Sequence, residues 1–280
     1  MICTDTAPAL QWQCELLEHT WHAVQQPGQL LRLVAASADQ PLPEHRHARV
    51  LRVPPSNLDP LGGDAYIAAN RLSSLAHWLR EEQPEGTVLI LDPDMVFRTP
   101  QALWAAPGKP IAQRWVDFGD GSWLADRMGV ERSSLQPATW PIAIHTIDLA
   151  SLLPRWSQRT VDVYRATGRW ESDMFALVQA ASEIGLSFDL ATTCAWMPWP
   201  EATVAGAPII HYCQPVQAHD GSTIWDKRSY HPWATDFEPA LALLDYCREL
   251  LEIVMGYARL RSTGVPRGTG EYRVRANPMD

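Results

Sequence analysis

The chain reads as a single α/β domain built on a mixed, mostly parallel sheet flanked by helices. Three observations lead there. Apolar runs of strand length alternate with amphipathic helical stretches. No linker-like composition divides the chain into halves, and no internal repeat is visible. Its 280 residues, 46% of them hydrophobic, suffice for one large core without disulfides.

Residues 1–4 read as the end of a short strand. Residues 11–25 form a helix with Cys14, Leu17, Trp21 and Val24 along one side. The continuous apolar run 30–36 is a buried strand, and 47–53 is a second one stopped by Pro54-Pro55. Residues 64–82 are helical, with Ala68, Leu72, Leu75 and Leu79 at helical spacing and Asp64 as N-cap. A β-branched run, 87–91, breaks at Asp92-Pro93-Asp94 and resumes as Met95-Val96-Phe97. Residues 141–146 give a further strand, followed by a helix from about Asp148. Residues 170–184 form a helix opened by two acids, and 186–190 and 207–213 are strands. The longest helix spans 237–261, with Leu241, Leu244, Cys247, Leu251 and Val254 turned inward. Residues 1–261 thus form the domain, and 262–280, polar and rich in Gly and Arg, form a frayed tail.

Composition excludes several classes. A net charge of -9 and a pI near 5.4 are unsuited to a phosphate-backbone binder, so no nucleic-acid partner is expected. No apolar run approaches the roughly 18–20 residues of a membrane span, and no leader is visible before residue 10. A cytoplasmic protein is the expectation. Five cysteines without a Cys-x-x-Cys pair support neither a disulfide framework nor a structural zinc site. Of 23 basic residues only Lys109 and Lys227 are lysine. The 13 tryptophans suit stacking on sugars, although packing explains most of them equally well.

Asp92-Pro93-Asp94 stands just beyond the carboxyl end of a buried strand, where α/β sheets bind ligands. Two hard carboxylates on a proline-stiffened turn suit Mg²⁺ or Mn²⁺, although a turn with two solvated acids has the same sequence. His211 ends the apolar run 208–210 and can complete such a site with a neutral imidazole. Lys227 and Arg228 follow as adjacent cations able to clamp a diphosphate. Glu171 and Asp173 open a helix, either as first-turn acids favoured by its dipole or as groups that meet a substrate hydroxyl. His45 and His47, in a proline-rich loop, carry no assignment. Glycine-rich dinucleotide, Walker, nucleophile-elbow and His-Glu-x-x-His signatures are missing.

Taken in order, Gln11-Trp12-Gln13, Asn70-Arg71, Leu91-Asp92-Pro93-Asp94-Met95-Val96-Phe97, Ile209-Ile210-His211-Tyr212 and Trp225-Asp226-Lys227-Arg228-Ser229 resemble the plant hydroxyproline O-arabinosyltransferases. They also resemble the related peptidyl serine α-galactosyltransferases, over residues 4–230. The resemblance implies a GT-A-type glycosyltransferase that uses a UDP-sugar and a divalent metal, Mn²⁺ or Mg²⁺. It makes Asp92, Asp94 and His211 the metal ligands, with Asp94 the more direct of the two acids. It sets Thr4 and Asp5 beside the uridine with Gln11 nearby, Asn70 and Arg71 at the ribose or diphosphate, and Lys227 and Asp92 at the diphosphate. Asp173 and Glu171 fall at the sugar and acceptor side. The acceptor is a hydroxyl, with hydroxyproline or serine of a peptide as candidates, and the sugar is arabinofuranose or a hexose.

The plant proteins resemble membrane-anchored Golgi enzymes, whereas this sequence starts almost at the first strand and shows no anchor; its arginine load and length look bacterial. Retention is expected, the leaving diphosphate taking the acceptor proton while Asp173 or Glu171 steadies the sugar. Inversion would make Asp173 the general base. The loop 214–229 is expected to order over bound UDP and metal. A sugar-nucleotide-forming transferase, or a nucleotide-sugar or glycopeptide binder without turnover, is the alternative.

Overall fold

The computed structural model describes residues 1–55, 66, 68–115, 122–196 and 206–263. In chain order these form β1 (Ile2–Asp5), α1 (Pro8–Ala23), β2 (Leu30–Ala35), β3 (Ala48–Val53), α2 (Ala69–Glu82), β4 (Thr87–Ile90) and β5 (Met95–Phe97). There follow β6 (Ile111–Arg114), α3 (Ser122–Met128), β7 (Ala138–His145), α4 (Thr146–Thr167), α5 (Ser172–Glu183), β8 (Asp189–Ala191) and β9 (Cys194–Trp196). The chain continues through β10 (Ile209–His211), β11 (Val216–Gln217), β12 (Thr223–Trp225) and α6 (Asp245–Ser262).

β2 lies between β1 and β3, both parallel to it, and is buried along its length, which is why it reads as a continuous apolar run. On the free side of β1, the Leu91 amide donates to the Met1 carbonyl at 2.9 Å and Ile2 bridges Leu91 in parallel. That bridge joins β1-β2-β3 to the sheet β4-β7-β6-β8. Here β7 is antiparallel to both neighbours and β8 is parallel to β6. The fold is α/β with a mixed sheet flanked by helices, as expected, parallel pairing running through β1-β2-β3 and recurring at β6-β8 and β9-β10. At the junction, the chain leaves β1 through α1 to β2 on one side, whereas from β4 it runs on into β5, which pairs with β10 in a separate sheet. The carboxyl ends of β1 and β4 therefore open a crevice between diverging connections, the place where open α/β sheets bind ligands.

Local chemistry sets the element ends. The Ala7 amide donates to Asp5 Oδ1 at 2.8 Å, turning the chain out of β1, and Pro8 starts α1 at a position with no intrahelical donor to lose. The helix consequently begins before residue 11. α2 starts at Ala69, and Asp64, the expected cap, lies outside the described residues. His145 Nδ1 caps α4 by accepting from the Ile147 amide at 3.3 Å, and Gly168, at φ 63°, ends it.

Three expected elements are corrected. The strand over 186–190 is only Asp189–Ala191, because the Phe188 amide is taken by the Gln136 side chain at 2.7 Å before pairing with β6 begins. The helix over 237–261 starts at Asp245. Before it, a 3-10 turn spans Pro239–Leu241, after which the Leu243 amide donates to the Gln217 carbonyl at 2.9 Å and Ala242 bridges Ala218, holding residues 242 and 243 extended. The segment 214–229, expected as a loop, contains the antiparallel hairpin β11-β12. Apart from its first two residues the expected tail, 262–280, lies outside the described residues, and no described helix is long and apolar enough to cross a membrane.

Candidate metal and nucleotide-sugar site

Two short pairings assemble the site. Beyond β4, Asp92-Pro93-Asp94 turns the chain into β5, which pairs antiparallel with β10 so that Met95 faces His211. The Tyr212 amide donates to the Asp94 carbonyl at 3.0 Å and locks that register. His211 Nε2 consequently lies 3.1 Å from Asp94 Oδ1 and 3.6 Å from Asp92 Oδ2. One ligand atom from each of the three residues falls within 4.8 Å of the others. The turn after β12 then carries Lys227 onto the second oxygen of Asp94.

An aromatic cluster steadies that turn. Trp12, buried on α1, stacks with Tyr212 at 6.1 Å and meets Trp225 and Tyr230 edge-on at 6.1 and 5.1 Å. Packing therefore accounts for Trp12 and Trp225, as it does for the fully buried Trp140 and Trp156. Trp225, two residues before Lys227, and Tyr230, three residues after it, are thus held to the body of the domain by their side chains.

On the opposite wall, Arg71 from α2 bridges two carboxylates. One guanidinium nitrogen donates to Asp92, and another to Asp173 Oδ2 at 2.6 Å, while the plane stacks over Trp140 at 4.2 Å. Asp173 sits buried in the first turn of α5. Its amide donates to Tyr66 Oη at 3.0 Å, and Tyr66 in turn donates to the Trp170 carbonyl at 2.6 Å. The Trp156 indole donates to the Asp173 carbonyl at 2.7 Å.

The electrostatics follow from this packing. Burial works against an ionised Asp94, but Lys227 and His211 overcome it and hold the carboxyl well below its usual range. Burial pushes the Asp173 carboxyl up, the Asp92 charge adds to that, and Arg71 opposes both. Burial also penalises the Arg71 charge, but the negative charges of Asp92 and Asp173 outweigh it and hold the guanidinium protonated even more firmly than usual.

The resulting cleft has a volume of about 380 Å³ and is lined by Thr4, Asp5, Asn70, Arg71, Asp92, Asp94, Asp173 and Lys227, with Trp140, Trp170 and Arg228. Three of these carboxylates, Asp92, Asp94 and Asp173, face the two cations Arg71 and Lys227. Two carboxylates and an imidazole at this spacing fit a hard divalent cation.

Two expected residues lie elsewhere. Gln11 is tied to Arg32 and Glu15, at 2.9 and 3.3 Å, and Gln13 lines the cleft instead. Glu171 precedes α5, with its side chain 41% exposed and 3.7 Å from Arg169, outside the cleft lining. Tyr66 and Trp140 escaped the sequence reading. A tyrosine that buttresses a buried acid carries no local pattern, and Trp140 lies in a strand whose start was set at residue 141.

No protein-family model matches the chain. Over 172 residues, 58% of the chain, it is 30% identical to a peptidyl serine alpha-galactosyltransferase of Arabidopsis thaliana. The match spans about a fifth of that relative, 21% of its length. That relative is of the expected kind. Among solved structures, the chain superposes on the galactosyltransferase LgtC in complex with donor and acceptor sugar analogues, with a TM-score of 0.53 at 12% identity. The superposition covers 92% of this chain and 96% of that one, and the fold is GT-A.

Proposed function

We propose that this GT-A chain is a metal-dependent glycosyltransferase that moves a sugar from a UDP-sugar to a hydroxyl acceptor. The observation that carries the reading is the convergence of Asp92, Asp94 and His211 within 4.8 Å, the two acids lining a cleft with Lys227, Arg71 and Asp173 and the imidazole buried behind them. In this reading Asp92, Asp94 and His211 hold Mn²⁺ or Mg²⁺. A bound divalent cation supplies charge neutralisation to the diphosphate leaving group.

The chain's own residues then divide the work. Thr4 and Asp5, at the end of β1, meet the nucleoside. Asn70 lies toward the ribose. Lys227 donates to diphosphate oxygens and holds the negative charge that develops as the bond to the sugar breaks. Arg71, between Asp92 and Asp173, spans the junction of diphosphate and sugar. Asp173 accepts from sugar hydroxyls and steadies positive charge at the anomeric carbon. With retention, the acceptor hydroxyl enters on the face the diphosphate leaves and gives it the proton; Asp173 then orients rather than abstracts. Glu171, outside the cleft, takes no part.

The acceptor is assigned to a peptide hydroxyl, serine or hydroxyproline, on the strength of the relative's activity and of Trp170, which lies at the cleft 65% exposed and offers a flat apolar face. The sugar is galactose or another hexose, or arabinofuranose. The test is a thermal-shift and hydrolysis screen of UDP-galactose, UDP-glucose, UDP-arabinofuranose and UDP-N-acetylglucosamine, each with Mn²⁺ and with chelator. Serine and hydroxyproline peptides follow as acceptors. One donor should give metal-dependent stabilisation and UDP release, and Asp94→Ala should lose both. Full turnover in Asp94→Ala, or no response to any UDP species, overturns the proposal.

A further inference from the structure

Behind the nucleoside end of the cleft lies a charged cluster that the proposed chemistry does not use. Arg32 projects from the middle of β2, a strand otherwise made of Leu, Val and Ala, and is 0% exposed. Its Nε donates to Thr4 Oγ1 and one terminal nitrogen to Gln11 Oε1, both at 2.9 Å. The other terminal nitrogen reaches the Asp5 carbonyl at 3.5 Å. Arg32 also donates to His45 Nε2, and His45 Nδ1 meets Glu18 Oε2 at 2.5 Å. The remaining Glu18 oxygen accepts from the amides of His47 and Ala48. The imidazole is therefore a bridge that accepts from the guanidinium and donates to the carboxylate.

A guanidinium buried in a strand covered on both faces is costly, and among the described residues no carboxylate forms an ion pair with it. An apolar residue would serve the sheet better. What Arg32 does reach is the end of β1, where pairing with β2 stops at Asp5. There it holds the hydroxyl of Thr4 and the carbonyl of Asp5, while Ala7 fixes the Asp5 carboxylate from the other side. Both residues line the cleft.

We propose that Arg32, held by His45 and Glu18, is a positioning residue that fixes Thr4 and Asp5 for donor binding. The segment joining β2 and β3 thereby becomes part of the donor site without entering the cleft. The inference rests on reading that cleft as a nucleotide-sugar site. A preset strand end spares the nucleoside the cost of ordering it, so the effect belongs to donor affinity rather than to the chemical step.

The experiment compares wild type, Arg32→Met, Arg32→Lys and His45→Gln. UDP affinity in the presence of Mn²⁺, affinity for Mn²⁺ alone, turnover at saturating UDP-sugar, and Tm are each measured. Arg32→Met should weaken UDP binding about tenfold, with turnover at saturation and Mn²⁺ affinity within about twofold of wild type. Arg32→Lys, which restores a donor without the planar fork, should fall between the two. His45→Gln should weaken UDP binding about threefold. A folded Arg32→Met protein that binds UDP as wild type does overturns the inference, as does a proportionate loss of UDP affinity, Mn²⁺ affinity and turnover, the mark of general distortion. If Arg32→Met does not fold, His45→Gln decides by the same criteria. Failure of wild type to bind UDP with Mn²⁺ marks the nucleotide reading itself as wrong and overturns this inference with it.

Discussion

Replacing Arg71 with methionine tests the electrostatic frame of the cleft without replacing a proposed metal ligand, although it removes a donor to Asp92. The side chains of Arg71 and Asp173 are only 16% and 4% exposed, so this is a buried pair. Removing one partner of such a pair costs about 3–5 kcal/mol, chiefly because the other charge stays buried and uncompensated. At about 2 °C per kcal/mol for a chain of this size, Tm should fall by about 6–10 °C. Methionine keeps much of the apolar contact with Trp140, so lost packing contributes little.

The pH dependence carries a sign. Burial already raises the Asp173 carboxyl above its usual value, and without Arg71 it rises further. A carboxyl whose folded value is raised costs stability above its unfolded value, and acidification through the folded value relieves that cost. The difference between wild type and Arg71→Met should therefore narrow from about pH 8 to about pH 5. Adding Asp173→Asn should restore about half or more of the lost stability, because the stranded charge is gone. Thermal and urea unfolding with chelator present read all three effects. The reasoning is refuted if Arg71→Met matches wild type at neutral pH, or if the loss from Asp173→Asn simply adds to it.

Asp173→Asn should lower turnover by about 10²–10³-fold and Glu171→Gln by less than about twofold, measured as sugar transfer at saturating donor. Trp12→Ala, which opens the aromatic cluster beneath Tyr212 and Trp225, should cost about 3–5 kcal/mol in urea unfolding. Burial alone would raise the Glu18 carboxyl, but His45 and the backbone amides of His47 and Ala48 hold it below its ordinary 4.5. The stability this provides is present above that value and is lost as pH falls through the lower folded one. Glu18→Gln should therefore be less stable than wild type at neutral pH, with the gap closing below about pH 4 in unfolding titrations.

The acid turn was legible because a buried strand cannot tolerate Asp92 and Asp94 within it, so the break had to lie at its carboxyl end. His211 was legible for the same reason, as the first polar residue after an apolar run. The Arg71–Asp173 pair was not, since its members are 102 residues apart and each sits on a helix where a charge is ordinary. β6 was missed because Gln113 reads as polar, although it is fully buried and its side-chain oxygen accepts from the Thr193 and Cys194 amides at 2.7 and 2.9 Å. His45 stayed unassigned because its meaning comes from Arg32 and Glu18, which lie on β2 and α1. Local pattern finds residues that end elements; it does not find residues that meet across them.

The pairing of β10 with β5 also bears on how the protein comes into being. Asp94 and His211 are separated by 117 residues, and Lys227 lies further still from Asp94, by 133. During synthesis the acid turn emerges long before either partner, and burying Asp94 is unfavourable until both arrive. A slip of one residue between β10 and β5 would turn the imidazole to the opposite face. The cleft therefore closes only when the C-terminal third has docked in register, and a ligand held jointly by Asp94 and His211 would fasten a loop of more than a hundred residues. Binding competence in this fold reports that the whole chain has been gathered, not merely that its first half has folded.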